Sequence, residues 1–445
     1  MKGVQVIILL CMLFPAISYP QSITTTDSTL SSATLENCIR YGLSHQPVLK
    51  AVQVDEEITE ATIKSKLADW YPQLNLGANL QHYLKMPVSF FPDSSGLKRP
   101  VQIGVRNTST PQLSLTQTIF NRDVLLASRT AKDVRLQARQ NTTANKIEVT
   151  SAIAKAFFDV LLTQQQIKVL DQTITRLDKS LKDAFNQYQS GITDKTDYKR
   201  ATISLNNAKA DRKAAQEQLH ARYAFLKQQM GYPGNQKLEL VHDTTRLEND
   251  IAFDTLQTIK YESRIEYQQL QTQQKLLQAN LKYNQWSYIP SFSAFGSYNL
   301  VYQNDELSKL YNKSFPNSFI GVQVAFPVFQ GGKRHWNIRQ AELQLKRSDY
   351  EIADLKNNIN TEYSQALAAY KSNLNDFYAQ KENMELASDV YNTLQLQYRA
   401  GVKTYLEVII AETDLHTTQL NYYNALYQVM SSKIDVQKAL GALTW

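Results

Sequence analysis

Hydrophobic residues along the chain follow two periods, and the places where the period changes mark the predicted elements. From residue 73 onward every second residue is apolar for about ten residues, which predicts a β-strand with one apolar and one polar face. Three further segments show this alternation, the one near Leu113 more weakly. About ten residues is the length that a tilted strand needs to cross a bilayer, although the pattern also fits a sheet with one buried face in a water-soluble protein. The apolar positions of the four candidate strands are Leu74, Leu76, Ala78, Leu80 and Leu84; Leu113, Leu115 and Ile119; Phe292, Ala294, Tyr298 and Leu300; and Ile320, Val322, Val324, Phe326 and Val328.

Between the strands, apolar and small residues recur in alternating steps of three and four, which predicts long coiled-coil helices. The longest stretch, residues 122–187, contains no Pro or Gly and would measure about 100 Å at 1.5 Å per residue. A helix of this length acts as a spacer, and we expect it to span a periplasm. The carboxylates of the chain are expected on solvent-facing helix positions.

Short motifs of the first half return in the same order in the second half, which predicts an internal duplication. In each copy a strand, a loop and a second strand precede a very long helix, a Gly turn and another long helix. Gly191 and Gly401 stand where a helix would end in the left-handed conformation. This order of elements fits half of a pore wall better than an enzyme. Helices with a narrow apolar seam and strands with one apolar face both need neighbouring elements to cover their apolar side chains. The recurring motifs are Tyr188-Gln-Ser-Gly191 and Tyr398-Arg-Ala-Gly401, Gln229-Met-Gly231 and Ala439-Leu-Gly441, Trp70-Tyr-Pro72 and Tyr288-Ile-Pro290, and Ile119-Phe120 and Val328-Phe329.

The changes of period and the duplication together set the predicted segment boundaries. Loops at 85–110 and 303–317 are expected to join the two strands of each β-hairpin, since both are rich in turn-forming and polar residues. The predicted segments are a signal peptide (1–18), N-terminal helices (34–71), a first β-hairpin (72–120), a first long helical hairpin (121–231), a linker between the copies (232–250), a helix of the second copy (251–287), a second β-hairpin (288–330) and a second long helical hairpin (331–442).

The N-terminus has the features of an export signal. Lys2 supplies a positive end, residues 4–14 an apolar core, and Ala16-Ile17-Ser18 a small-x-small site that predicts cleavage after Ser18. The second cysteine of the chain, Cys38, would then be alone in the mature protein. The sequence therefore predicts no intrachain disulfide and a buried, apolar role for this thiol.

Composition and motifs exclude several classes of function. The chain has 48 basic and 41 acidic residues, and no basic run suggests that it binds nucleic acid. The six histidines form no metal-binding motif, and Gly331-Gly332-Lys333 lacks the other residues of a phosphate-binding loop. We therefore expect neither an enzyme nor a cofactor or metal site.

The motifs in their order along the chain resemble those of the TolC family of outer-membrane efflux channels. The resemblance implies a homotrimer in which four strands from each chain form one twelve-stranded β-barrel, surrounded by outer-membrane lipid and continuous with a periplasmic α-helical tunnel. The N-terminal helices, the linker and the C-terminal end would form a belt around this tunnel. The resemblance also implies two partners, a periplasmic adaptor and an inner-membrane pump. The motifs are Thr34-Leu-Glu-Asn-Cys-Ile, Asp69-Trp-Tyr-Pro72-Gln-Leu, Phe326-Pro-Val-Phe329-Gln-Gly-Gly332-Lys-Arg, Tyr398-Arg-Ala-Gly401-Val-Lys-Thr404 and Lys438-Ala-Leu-Gly441-Ala-Leu443.

The resemblance also assigns roles to residues near the two Gly turns. Glu407 matches an acidic residue that lines the closed periplasmic entrance in the family, and Asp197 is its counterpart in the first copy. A second acidic position is occupied here by Ile410, which weakens the case for a doubled ring of carboxylates. Thr404 and Glu407 also match a capping box, so Glu407 has a purely structural role available. The residues expected to contact the adaptor are Ser190, Gly191, Ile192, Thr193, Ala400, Gly401, Val402 and Thr404.

The function predicted from these observations is passive export through the outer membrane of a Gram-negative bacterium. The chain would be the outer-membrane channel of a tripartite efflux or type I secretion system. The alternative is a periplasmic coiled-coil structural or adaptor-like protein without a membrane pore, which the two hairpins disfavour. A general porin is a third possibility, but a diffusion pore needs no periplasmic tunnel.

Overall fold

The computed structural model describes residues 30, 32–92, 96–241 and 244–443, except for the side chains of 244–246. The predicted signal peptide, 1–18, lies outside the described residues. Within them the chain is mainly helical, with two very long helical hairpins. The helices are α1 (Leu35–His45), α2 (Pro47–Ala68), α3 (Arg122–Gln189), α4 (Lys195–Met230), α5 (Thr244–Asn249), α6 (Ile265–Gln285), α7 (Lys333–Arg399) and α8 (Tyr405–Ala439).

In the described part of the chain, the strands form two antiparallel sheets. The larger sheet has the order β1-β4-β5-β6, so the two β-hairpins of the sequence lie side by side, and β2 pairs with β3 in a small separate sheet. The strands are β1 (Gln73–His82), β2 (Val88–Pro92), β3 (Lys98–Gln102), β4 (Asn107–Phe120), β5 (Ser291–Asn304) and β6 (Ser314–Ala325).

The register of the large sheet gathers the predicted apolar positions of all four strands on one face. Leu76 lies opposite Leu113, and Leu113 lies opposite Tyr298. In the same way Ala294 lies opposite Val322. The other face carries a polar row, in which the amide of Gln112 donates to Ser297 Oγ at 2.9 Å. The predicted strands and the gathering of their apolar positions on one face are therefore confirmed, but the opposite face is not wholly polar, since the rings of Phe295 and Phe319 pack against each other there.

The extent of the two hairpin loops was predicted wrongly. The stretch 85–110 contains β2, β3 and the start of β4, and the stretch 303–317 contains a 3-10 helix at Leu307–Asn312 and the start of β6. Three residues counted in the alternation, Leu84, Phe326 and Val328, lie beyond the ends of the strands. A fourth, Ile119, lies at a bulge between Thr118 and Phe120. Alternation alone does not show where a partner strand stops, since pairing depends on residues far away in the sequence.

The long helices begin and end where local rules place them. The side chain of Asn121 caps α3 by accepting from the N–H of Asp123 at 2.8 Å. Helix α3 then runs for 68 residues and α7 for 67. At 1.5 Å per residue each is about 100 Å long. The prediction of a rod of this length from residue 122 is confirmed.

The main hydrophobic core lies between the two long hairpins, and α1 packs against the first of them. Phe157 and Phe158 of α3 meet Leu226 of α4 and Tyr422 of α8 there. Cys38 is fully buried in this core, and burial raises the pKa of its thiol to about 12. This agrees with the apolar role predicted for that residue.

Two similar joints attach this core to the ends of α4 and α8. At the first, the side-chain amide of Gln46, just before α2, donates to the carbonyl of Gln229 at 2.9 Å. At the second, Arg264 Nη1, just before α6, donates to the carbonyl of Ala439 at 2.8 Å. Each side chain thus satisfies backbone oxygens that the end of a helix leaves free.

The helix predicted over 251–287 covers only Ile265–Gln285. The preceding stretch packs irregularly on the core, where Tyr370 donates to the carbonyl of Ile251 at 2.8 Å. The buried Arg264 fixes the start of the helix by binding Glu362 at 2.7 Å as well as Ala439. Because of these tertiary contacts the helix begins later than predicted, and no local sequence pattern reveals them.

Candidate functional site

The two long hairpins end in turns of the same geometry. Gly191 and Gly401 are left-handed, with φ of 74° and 75°, as predicted. In both turns the N–H of the residue after the glycine donates at 2.9 Å to the carbonyl four residues before the glycine. The hydroxyl of Tyr398 donates to Gln187 Oε1 at 2.8 Å, so the two turns of one chain lie close together.

The residues predicted to contact an adaptor form the surface of these two turns. Seven of the eight are exposed, and Thr193 is half-buried. Ile192 and Val402 present branched apolar side chains to solvent at matching positions. The exposed residues are Ser190, Gly191, Ile192, Ala400, Gly401, Val402 and Thr404.

The gate candidate Glu407 forms the predicted capping box. Its carboxylate accepts from the N–H of Thr404 at 2.9 Å, and Thr404 Oγ1 accepts from the N–H of Glu407 at 3.4 Å. Lys403 Nζ also donates to Glu407 Oε1 at 2.7 Å. The Lys403 bond, followed by the bonds from Thr404, lowers the pKa of Glu407 to about 2. Glu407 is therefore ionised at neutral pH, but a lysine of its own turn balances its charge.

The other gate candidate, Asp197, lies in different surroundings. Asp194, at the position equivalent to Thr404, caps α4: its Oδ1 accepts from the N–H of Thr196 at 2.5 Å. Partial burial raises the pKa of the Asp197 carboxyl, the charge of Asp194 adds to the rise, and Arg200 opposes it. Burial raises the pKa of the Tyr398 hydroxyl in the second hairpin, and the charge of Asp197 adds to that rise. The structure brings both turns together but does not make the two acids equivalent.

Ile410 points an apolar side chain into solvent one turn beyond Glu407. It is exposed in the chain. The position where the family resemblance would place a second carboxylate thus offers neither charge nor a hydrogen-bonding group.

One acidic residue near the turns is buried, contrary to the expectation that the carboxylates face solvent. Glu412 is 5% exposed. It accepts from Arg176 Nε of the other hairpin at 2.8 Å. Burial raises the pKa of its carboxyl, and Arg176 opposes that rise.

The sequence does contain a signal that Glu412 contacts another helix. Glu412 directly follows Ala411, a seam position of α8, and side chains that flank a coiled-coil seam often reach a neighbouring helix. Which helix it would meet could not be read from the pattern, since Arg176 lies 236 residues away.

The site thus consists of exposed turns, balanced charges and small residues. Among the described residues, no cluster of three or more histidine, cysteine, aspartate or glutamate side chains could hold a metal ion. In the same part of the chain, no helix combines the length and apolar character needed to cross a membrane.

Comparison with known proteins identifies the family. The model of the family described as "Outer membrane efflux protein" matches residues 39–232 and 262–442. The outer membrane protein TolC of Vibrio cholerae serotype O1 is 20% identical over 439 residues, covering 96% of this chain and 95% of the relative.

Solved structures show the same fold. CusC superposes with a TM-score of 0.74 at 18% identity, covering 96% of this chain and 97% of the other. The outer membrane protein VceC from Vibrio cholerae superposes with a TM-score of 0.72 at 15% identity, covering 92% and 96%. Both structures combine long helices with a β-sheet, as this chain does.

These relatives are channel proteins of the outer membrane rather than enzymes, and they give no support to a periplasmic protein without a pore. The match spans both helical hairpins and both β-hairpins of this chain. The chain therefore belongs to the outer membrane efflux protein family, the TolC family, and is an efflux channel of the outer membrane that extends into the periplasm.

Proposed function

We propose that three copies of this chain form a passive export duct that receives its substrate from an inner-membrane pump and a periplasmic adaptor, in a tripartite efflux or type I secretion system. Each chain would contribute four strands to a twelve-stranded β-barrel and two helical hairpins to a periplasmic tunnel. The observation that carries this proposal is the four-stranded sheet, in which the predicted apolar positions of all four strands share one face while long helices extend from its strands.

The edges of that sheet support closure by identical copies. Within the described residues β1 and β6 are the outer strands, and a strand at an edge exposes backbone groups that need partners. Pairing β6 of one copy with β1 of the next would remove all of these edges. The apolar face would then meet lipid, and the polar row, which includes Gln112, Ser297 and Asn299, would meet water.

Repeated local geometry supports the inferred duplication of the two halves. Gly191 and Gly401 form matching turns, and Gly231 and Gly441 form matching left-handed joints. Three chains would therefore present six similar turns around the periplasmic entrance. Glu407 and Asp197 belong to these turns, and we assign them to the entrance.

Planar-bilayer recording of the detergent-extracted mature protein tests the pore. We expect small, stable conductance steps from an oligomer, and we expect Ile320→Lys to reduce insertion at least about tenfold, because a lysine at the bilayer midplane costs about 2–4 kcal/mol in each chain. Ile320 is 92% exposed on the apolar face. The matched control is Gln323→Lys, three residues away on the polar face of the same strand, which should insert normally.

Equal insertion by both variants would argue against a lipid-facing role for the apolar face. Large, permanently open steps from the unaltered protein would indicate a pore without a closed entrance.

A cross-linking experiment tests the adaptor contact. We expect a photo-reactive benzoylphenylalanine that replaces Ile192 or Val402 to cross-link to a periplasmic adaptor in cells of the source bacterium. The same residue replacing Leu256, which is exposed but far from the turns in sequence, is the control and should give no such product. Cross-links from the turns only to other copies of this chain would mean that these residues do not meet an adaptor.

A further inference from the structure

The small sheet formed by β2 and β3 stands apart from the rest of the chain. Every residue of these two strands is exposed. Among the described helices and strands, neither β2 nor β3 packs extensively against any element other than its partner. A sheet of two strands with both faces open is only marginally stable in water, because stable sheets need a third strand or a covering layer. We therefore expect another surface to cover the small sheet.

Both faces of the small sheet carry large apolar side chains. Residues directly opposite each other in antiparallel strands share a face. Phe90 lies opposite Pro100, whereas Phe91 lies opposite Arg99 on the other face. Phe90 is 66% exposed. Contiguous exposed apolar side chains mark a site of interaction with a protein or a membrane. The exposed apolar residues of the sheet and its flanks are Val88, Phe90, Phe91, Leu97, Val101 and Ile103.

The small sheet lies at the end of the large sheet that is remote from the long helices. Strand β1 follows α2 and β4 leads into α3, so the helices leave the large sheet at one end and the small sheet extends from the other. The N–H of Tyr83 donates to the carbonyl of Arg106 at 2.8 Å, which continues the ladder of β1 and β4 toward the small sheet. In the proposed barrel the long helices are periplasmic. The small sheet would therefore lie at the outer surface of the membrane.

The small sheet cannot lie far from the end of the proposed barrel. Val88 follows His82, the last residue of β1, by six residues, which span at most about 20 Å when fully extended. The N–H of Ile103 also donates to the carbonyl of Pro87 at 3.0 Å, so the connection is itself partly paired. The side chains of the small sheet thus stay within reach of the polar headgroups around the barrel.

Positive charge at this end of the large sheet is concentrated in the first loop. The stretch 83–106 has four basic residues and one acidic residue, Asp93, which lies outside the described residues. The neighbouring stretch 303–317 has two of each, and Lys309 there binds Glu306 at 2.8 Å. The first loop is therefore complementary to an anionic surface, whereas the second is balanced. The basic residues of the first loop are Lys85, Lys98, Arg99 and Arg106.

This charge favours lipid over a second copy of the chain as the covering surface. If the small sheets of three copies met over the pore, three pairs of Lys98 and Arg99 would approach one another and repel. Phosphate groups of an outer-leaflet lipid attract the same side chains. Lys98 also shares its face with Phe90, because it lies two residues from Pro100. One face of the small sheet thus combines an aromatic side chain with a cation, as membrane-surface elements do.

We propose that the small sheet binds the phosphorylated glycolipid of the outer leaflet, lipopolysaccharide. Phe90 enters the boundary between headgroups and acyl chains, and Lys98 and Arg99 bind the phosphate groups of the glycolipid. Three such contacts would tie the rim of the barrel to the surrounding leaflet. This inference rests on the proposed function, because the barrel is what places this end of the sheet at the outer surface.

Native mass spectrometry of the full-length, detergent-extracted oligomer, titrated with lipid A that carries two phosphates, tests the contribution of charge. We expect the double variant Lys98→Gln/Arg99→Gln to weaken lipid A binding at least about tenfold, because each cation near an anionic lipid surface contributes about a fivefold factor. The matched control is Lys309→Gln/Lys313→Gln, which removes the same charge from the neighbouring loop and should bind like the unaltered protein.

A second pair of variants tests the apolar contact. We expect Phe90→Ser to weaken lipid A binding about fivefold, because a partly inserted phenylalanine is lost. Leu307 is 61% exposed in the second loop. Leu307→Ser is therefore the matched control and should leave binding unchanged.

The same spectra report the oligomer and separate lipid from the other occupants. If the Lys98→Gln/Arg99→Gln or Phe90→Ser protein falls apart into single chains, the small sheet covers another copy and the proposal is wrong. Equal weakening by the control variants would show a general effect of charge or polarity, which also overturns it. Displacement of lipid A by an equal concentration of inorganic phosphate would show a site for a free anion and not for a lipid.

Failure of this inference and failure of the channel proposal give different results. If the unaltered oligomer conducts in planar bilayers but retains no lipid A, the lipid contact is wrong while the channel stands. If the folded protein forms neither an oligomer nor a conducting pore, the channel proposal fails and the lipid contact fails with it.

Discussion

Replacing Gly441 with alanine is expected to lower the free energy of unfolding of the chain by about 2–4 kcal/mol, since strain in the backbone and overpacking act together. Gly441 has a φ of 68°. A Cβ there would lie 2.7 Å from the carbonyl oxygen of Ser263 and 2.9 Å from its carbonyl carbon. That backbone cannot move away easily, because the next residue, Arg264, is buried and bound to Glu362 and to the carbonyl of Ala439.

The matched control is Gly401→Ala. Gly401 has nearly the same backbone conformation, with a φ of 75°, but nothing lies within 4 Å of the position of an added Cβ. This variant should lose only about 1–2 kcal/mol, the cost of a left-handed alanine. Thermal unfolding followed by circular dichroism at a fixed scan rate in detergent measures both. Equal losses would show that the close approach at Gly441 contributes nothing.

Replacing Lys403 with methionine is expected to raise the preference of the channel for cations over anions by about tenfold, because an unbalanced ring of carboxylates focuses a negative potential in a narrow opening. In the chain Lys403 donates to Glu407 at 2.7 Å and cancels its charge. Glu407→Gln should shift the preference in the opposite direction, toward anions, since Lys403 then remains alone. Reversal potentials in a salt gradient measure the preference.

The pH dependence of this preference gives a second measurement on the same variants. The pKa of Glu407 is lowered to about 2, with Lys403 as the largest cause. A carboxylate with a depressed pKa contributes its stabilisation above its unfolded pKa of about 4.3 and loses it as the pH falls through the folded value. In the Lys403→Met variant the largest cause of the lowered pKa is gone, so the pKa of Glu407 should be higher than in the unaltered protein. As the pH is lowered, the cation preference of this variant should therefore disappear at a pH above about 2, the pKa of Glu407 in the unaltered folded protein.

An equal change of charge far from the turns is the control for the selectivity experiment. Lys237 forms an ion pair with Glu239 in the linker and is largely exposed. Lys237→Met should leave the reversal potential unchanged. If it changes the preference as much as Lys403→Met does, the effect arises from net charge and not from the entrance.

Features governed by neighbours in sequence could be predicted, and features governed by distant partners could not. The left-handed glycines at 191 and 401 and the capping box of Thr404 and Glu407 follow from local backbone rules. The two faces of the sheet follow from alternation, because side chains of a strand point alternately to its two faces. In each of these cases the determining residues lie within a few positions of one another.

The charges of the candidate site show the limit of that approach. Glu407 has its main partner four residues away at Lys403, whereas Glu412 has its partner 236 residues away at Arg176. A pattern of apolar positions predicts that α8 has a seam but does not name the helix that covers it. For the same reason the start of α6 at Ile265, which depends on contacts of Arg264, was misplaced.

The paired long helices also constrain how proteins of this kind can change length during evolution. Inserting one residue into α3 would rotate everything beyond it by about 100° and turn its seam away from both α4 and α8. An insertion of about seven residues preserves the seam, but it must be matched in α4, α7 and α8 to keep the two turns level. We expect relatives with longer or shorter tunnels to differ by such blocks, present in all four helices at once.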